Sequence, residues 1–173
     1  MRLRKGRSRI VLVFPSLGIA IKIPFIHFIS GIHFLLLMAR EGHLRWEWNR
    51  SMESMESSKE LLFKGIADNW REYWFFIKSR NPFLLPSYFS FFGLFNIQQV
   101  GQVCTTESSV LWRQLVELTA GATSKSSHHF VNPENFCFVG KKLRILDYGS
   151  PRVQQVISKF GIKITNEFDP NYT

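Results

Sequence analysis

The sequence predicts an α+β fold in which antiparallel hairpins are joined by a few helices. Two patterns carry this expectation. Short apolar, β-branched or aromatic runs come in pairs separated by turn residues, at 10–23, 87–100 and 136–146. Apolar residues recur at helical spacing over 59–79, 107–119 and 151–161. The composition allows a folded core, since 45% of residues are hydrophobic and 17 are Phe. A chain of 173 residues suits a single domain over 1–173.

The elements follow in order. Ile10 to Phe14 reads as a strand, Pro15-Ser16-Leu17-Gly18 as a turn, and Ile19 to Ile23 as a second strand closed by Pro24. Residues 25–58 read as an insertion, apolar at first and then a linker repeating Ser-Met-Glu. In the helix over Lys59 to Ser79, Leu62, Ile66, Trp70, Tyr73 and Ile77 form the apolar stripe, and Asn81-Pro82 ends it. Ser87–Phe92 and Leu94–Val100 form a strand pair split near Gly93, and Gly101–Thr106 reads as a connector. Glu107–Thr119 is a helix with Leu111, Leu115 and Leu118 on one face. Phe136, Phe138 and Val139, then Leu143, Ile145 and Leu146, flank a turn at Gly140-Lys141-Lys142. The last helix has Ser150 as its N-cap, Pro151 in its first turn and Gly161 at its end, with a short strand at Ile162–Thr165 beyond.

The formal charge of +9 is concentrated at the start, in Arg2, Arg4, Lys5, Arg7 and Arg9. This arm reads first as a solvated end, and otherwise as a contact for nucleic acid, anionic lipid or nucleotide phosphate. Cys104 and Cys137 lie in no Cys-x-x-Cys pair, which argues against a zinc or redox motif. Two cysteines in a chain with its own core suit a reducing, cytoplasmic setting. The uncharged run from Ile23 to Ala39 holds two histidines and falls short of the ~20 apolar residues of a membrane span, so a membrane helix is not expected. His27, His33 and His43 show no metal-binding spacing.

The most informative stretch is 128–150, HHFVNPENFCFVGKKLRILDYGS. Asn135 precedes its hairpin and Asp147 follows, so a carboxamide and a carboxylate meet at one end. Such oxygen ligands suit magnesium. The stretch resembles the catalytic loop and magnesium loop of the protein kinases, H-R-D-x-x-x-x-N and then D-F-G. His128-His129-Phe130 precedes Asn135, and Asp147-Tyr148-Gly149 follows the hairpin. Phe130 stands where the family has its catalytic Asp, and a phenyl ring cannot accept a proton.

The resemblance implies further roles. Ala20 and Lys22, two apart on one strand face, look like the family's V-A-I-K, with Ala20 under an adenine and Lys22 on phosphates. Glu72 falls where the Lys-pairing Glu of the family sits, and Asn135 and Asp147 fall on its metal ligands. The implied architecture is a kinase-like N-lobe over 1–103, with one main helix and the insertion 25–58, and a strongly reduced C-lobe over 104–173. No Gly-x-Gly-x-x-Gly precedes the first hairpin, so the family's phosphate-covering loop is missing or replaced, and only 24 residues follow Gly149. The implied function is a minimal ATP- and Mg2+-binding protein, a pseudokinase or very weak phosphotransferase. Glu134, His128 and His129 are the candidate bases. The alternative is a non-enzymatic basic protein that binds nucleic acid or an anionic membrane surface, with Tyr88, Phe89 and Phe91 as stacking rings. A protein partner is compatible with either.

Overall fold

The computed structural model describes residues 1–6, 9–25, 36, 39–40, 42 and 58–172. Most of the insertion 25–58, including its Ser-Met-Glu repeat, His27, His33 and His43, therefore lies outside the described residues. Among the described residues no helix is long and apolar enough to cross a membrane.

Over the described residues the fold is mixed α+β with two antiparallel sheets. The first contains β1 (Arg2–Lys5), β2 (Arg9–Phe14), β3 (Ile19–Pro24), β4 (Ser87–Phe91) and β5 (Phe95–Gln99), in the spatial order β1-β2-β3-β5-β4. Helix α1 (Ser58–Ser79) packs across β3, β4 and β5. The second sheet is β6 (Gln102–Val103), β7 (Phe136–Val139) and β8 (Lys142–Ile145). Helices α2 (Ser108–Leu118), α3 (Ser127–Phe130) and α4 (Pro151–Glu167) complete this half.

The first hairpin sets a register with consequences. Pro15–Leu17 forms one 3-10 turn, and Gly18 closes it with φ of 66°. Arg9 then lies opposite Pro24, Val11 opposite Lys22 and Val13 opposite Ala20. The next pairing puts Lys22 opposite Asn96 and Ala20 opposite Gln98. Side chains alternate along a strand, so these residues share one face. Arg9, Ala20, Lys22, Asn96 and Gln98 are all buried, which makes the layer under α1 largely polar.

The apolar core sits mainly in the second half. Leu111, Leu115, Phe130, Phe136, Leu143, Ile145, Tyr148, Val153, Ile157 and Ile164 are enclosed, and Phe83 and Leu84 reach in from the segment after α1. That segment also joins the sheets. Leu84 bridges Ile145 in parallel, Leu85 N–H donates to the Ile145 carbonyl at 3.0 Å, and Ile145 N–H donates to the Phe83 carbonyl at 2.8 Å. Arg144 donates to the carbonyls of Pro82 and Leu84 from the same place.

Four expectations need correction. The basic arm faces solvent but is not a frayed end: Arg2–Lys5 forms an exposed edge strand on β2, and Arg9 is buried. The stripe expected on α1 is not its most buried face. Ile66, Trp70, Tyr73 and Ile77 are half-buried, whereas Gly65, Asp68, Asn69 and Glu72 point inward, and Leu62 lies outside the described side chains. The connector after β5 is partly strand, with Gln102–Val103 pairing to β7. Finally, α4 runs through Gly161 to Glu167, and the expected strand at Ile162–Thr165 is helical.

Gly161 reflects close packing, not chain termination. A Cβ there would come within 2.5 Å of Asn81 Oδ1 and 2.7 Å of its Nδ2. The Asn81 amide cannot easily yield, because it donates to the Ile157 carbonyl and accepts from Phe83 N–H. Alanine at an open mid-helix glycine normally stabilises by about 1 kcal/mol. Here Gly161→Ala should instead destabilise by ~1–3 kcal/mol through overpacking. Urea denaturation of the two proteins checks the sign.

Candidate functional site

The polar layer between the first sheet and α1 converges on Glu72, which has no exposed surface. Lys22 Nζ donates to Glu72 Oε2 at 2.7 Å, and Arg9 NH1 donates to Glu72 Oε1 at 2.6 Å. Each carboxylate oxygen thus carries one cation. Asn96 Nδ2 adds a longer contact of 3.4 Å to Oε2. Asn69, one helical turn before Glu72, accepts from Arg9 NH1 at 3.0 Å. Its own amide donates to the carbonyls of Lys22 and Gly93, tying α1 to β3 and to the β4–β5 turn. The helix presents positions 65, 68, 69 and 72 inward because these fall on one face of a 3.6-residue repeat.

The second half enters through the residues after β8. Lys22 Nζ also donates to the Leu146 carbonyl at 2.7 Å. Arg9 NH2 donates to Asp147 Oδ1 at 2.7 Å. Tyr148 is fully buried, and its hydroxyl donates to the Leu85 carbonyl at 2.8 Å. Gly149 lies so close to α1 that a Cβ would come within 2.8 Å of Asp68 Cβ and 2.9 Å of the Asp68 carbonyl oxygen. Glycine is required there by space, since the obstacle includes backbone.

Asn135 lies at the same open end of the β7–β8 hairpin as Asp147. Leu146 N–H donates to the Asn135 carbonyl at 2.8 Å, and Asn135 Nδ2 donates to the His129 carbonyl at 2.9 Å. His129 Nδ1 stands 4.0 Å from Asp147 Oδ2. Burial holds the His129 imidazole below its ordinary pKa despite the facing carboxylate.

The electrostatics follow from this crowding. Burial alone would raise the Asp147 carboxyl, but Arg9 and then Lys22 overcome it and hold the group well below the usual carboxylate range. Burial would likewise lower Arg9, but Glu72 and Asp147 outweigh it and fix the guanidinium as a cation. Burial dominates at Lys22 and lowers its pKa, with Glu72 opposing. Two cations therefore face two carboxylates in a balanced cluster.

The structure thus brings Lys22, Glu72 and Asp147 into one network, with Ala20 buried beside Gln98 on the same sheet face. His129 and Asn135 flank it. The other candidates stand apart from the network: His128 and Glu134 are exposed, and Phe130 is enclosed in the core 6.4 Å from the Phe136 ring. Arg9 and Asn69 were missed by sequence reasoning. The signal for Arg9 was available, because the turn at 15–18 fixes residue 9 opposite residue 24 and hence on the face of Lys22.

For the magnesium that the resemblance implies, Asn135 and Asp147 are the relevant ligands. As arranged they do not suit it. Asp147 Oδ1 is already neutralised by a guanidinium, Lys22 adds a second nearby cation, and the Asn135 amide is turned to a backbone carbonyl. Among the described residues no three His, Cys, Asp or Glu side chains converge as a metal-binding group. No family model matches the sequence, and neither the curated proteins nor the solved structures contain a match to it.

Glu72 should dominate the stability of this layer. Glu72→Gln leaves two buried cations short of a carboxylate and is expected to cost about 3–5 kcal/mol, measured as a drop in the urea midpoint. The pH dependence of Asp147 has a definite sign. Its folded pKa is depressed, so its contribution is complete above the unfolded value of about 3.9 and declines as pH falls below that toward the folded value. The melting-point gap between wild type and Asp147→Asn should be flat from pH 7 to about 5 and shrink below pH 4.

Proposed function

We propose that this protein is a kinase-like nucleotide-binding module that transfers phosphate very slowly or not at all. The observation that carries this reading is the buried Lys22–Glu72 pair at 2.7 Å, bonded onward to the Leu146 carbonyl beside Asp147. A lysine and a glutamate 50 residues apart are held together against the Asp-Tyr-Gly turn. An ammonium has three N–H groups, and two are used here. Among the described residues the third has no partner, and it would meet a phosphate oxygen. Ala20, on the same sheet face, would lie under a base.

The chain's own groups bind and orient but supply little chemistry. Phe130 is packed in the core, so the usual position of the catalytic Asp carries neither a proton acceptor nor an open space for one. General-base help of that kind is worth ~10²–10⁴ in rate. His129 is the nearest candidate base, beside Asp147. The two buried, unpaired thiols, with Cys137 pushed up to about 12 by burial, are inert and suit a reducing compartment.

A second reading, a non-enzymatic nucleic-acid or anionic-surface binder, draws on two exposed features. Tyr88, Phe89 and Phe91 are open on β4, and Arg2, Arg4 and Lys5 are open on β1. These strands are the opposite edges of the five-stranded sheet, four strand spacings or ~19 Å apart. A single stacking groove lined with phosphate contacts is therefore not formed from both, and we favour the nucleotide reading.

Thermal melting with ATP or ADP tests the proposal. Ligand at 100 times its dissociation constant should add ~2.7 kcal/mol, and Lys22→Met should remove that gain. Absence of a shift with either nucleotide would refute it, and a steep salt-dependent affinity for single-stranded nucleic acid would favour the second reading. Radiolabelled ATP should yield no robust turnover. Phe130→Asp should not create activity: it places a carboxylate in an apolar core and should destabilise by ~3–5 kcal/mol, as loss of a buried Phe does.

A further inference from the structure

Arg9 is the residue in this cluster that no motif accounts for. It begins β2, it is 7% exposed, and its guanidinium lies between Glu72 on α1 and Asp147 after β8. The two carboxylates come from different halves of the fold and would repel one another if left to themselves. Arg9 is fixed as a cation by both and also donates to Asn69 Oδ1 at 3.0 Å. Its NH1 takes Glu72 and Asn69 and its NH2 takes Asp147, which uses three of the five guanidinium N–H groups.

We propose that Arg9 takes the place of a divalent cation at Asp147, so that this site is closed to metal and receives a phosphate-bearing ligand through guanidinium and ammonium alone. A divalent ion at Asp147 Oδ1 would have to displace a 2.7 Å charge-assisted hydrogen bond. It would also have to sit beside two cations in a partly enclosed site, where like charges repel strongly. A guanidinium already supplies what such an ion would supply to a phosphate, a fixed positive charge with directed donors. Among the described residues the other N–H groups have no partner, and these would meet the ligand. The phosphate ligand rests on the nucleotide reading above, whereas the exclusion of metal rests on the Arg9 geometry.

The experiment separates the two. Mn2+ alone is titrated into the full-length protein and followed by the loss of its free electron-paramagnetic-resonance signal. Wild type should take up none at millimolar metal. Arg9→Gln should bind Mn2+ at least about tenfold more tightly than wild type, and adding Asp147→Asn should abolish that site. If Arg9→Gln fails to fold by circular dichroism, Arg9→Met is used in the same way, since it keeps the volume of the side chain and removes its charge. Uptake of Mn2+ by wild type that disappears in Asp147→Asn overturns the proposal, and so does a folded Arg9 variant that gains no site. In a second arm, wild type is melted with ATP in excess EDTA and in excess Mg2+. Equal shifts support the proposal, and a shift only with Mg2+ overturns it. No shift in either refutes the nucleotide reading and the phosphate part of the proposal with it, while the Mn2+ result still decides whether Arg9 excludes metal.

Discussion

A carboxylate with no access to water organises this molecule. Glu72 is held by one cation on each oxygen, and neither cation is local to it in sequence. Leaving such a group unpaired costs several kcal/mol, so the surrounding elements must stay where their charges compensate it. The polar face of α1 turns inward to deliver it. The sheet accepts it by placing Arg9, Lys22 and Asn96 on its inner face. The apolar rings of α1 are left partly outside, where Trp70 stacks on Phe92 and packs edge-on against Trp74.

The fold was legible where local rules act alone. The turn at Pro15–Gly18 and the split at Gly93 both yielded antiparallel pairs, because a glycine at positive φ flanked by apolar runs leaves few options. Ser150 and Pro151 marked the start of α4 for the same kind of reason. What failed was inference that weighed one element at a time. Gly161 looks like a helix end until Asn81, eighty residues earlier, is placed against it. An apolar stripe normally turns inward because water selects the polar face, but on α1 buried ion pairs draw the polar face inward instead.

The candidate site divides in the same way. Lys22, Glu72 and Asp147 could be named from residue type and order, and the structure gathers them. Arg9 could not be named by type, since it follows Arg2, Arg4 and Lys5, which face solvent. Only hairpin register distinguishes it from Arg2 and Arg4. The β7–β8 hairpin was expected to bring Asn135 and Asp147 to one end, and the Leu146–Asn135 backbone bond does so. Phe130 was recognised as a departure at the site. Its role as a core side chain follows only from tertiary packing.

The span of the Arg9–Asp147 contact, 138 residues of a 173-residue chain, bears on how the molecule assembles. During synthesis Arg9, Lys22 and Glu72 all emerge well before Asp147 and the β8 strand that positions it. Until then the early segment holds two cations against one carboxylate, and the Leu84–Ile145 bridge has no second partner. Contacts of such long separation close late and slow folding, because the loop entropy is lost before they reward it. The first sheet is therefore not a free-standing intermediate in waiting. It is finished by the hairpin at 136–145, and the order in which the ribosome releases the chain sets when the charge cluster can close.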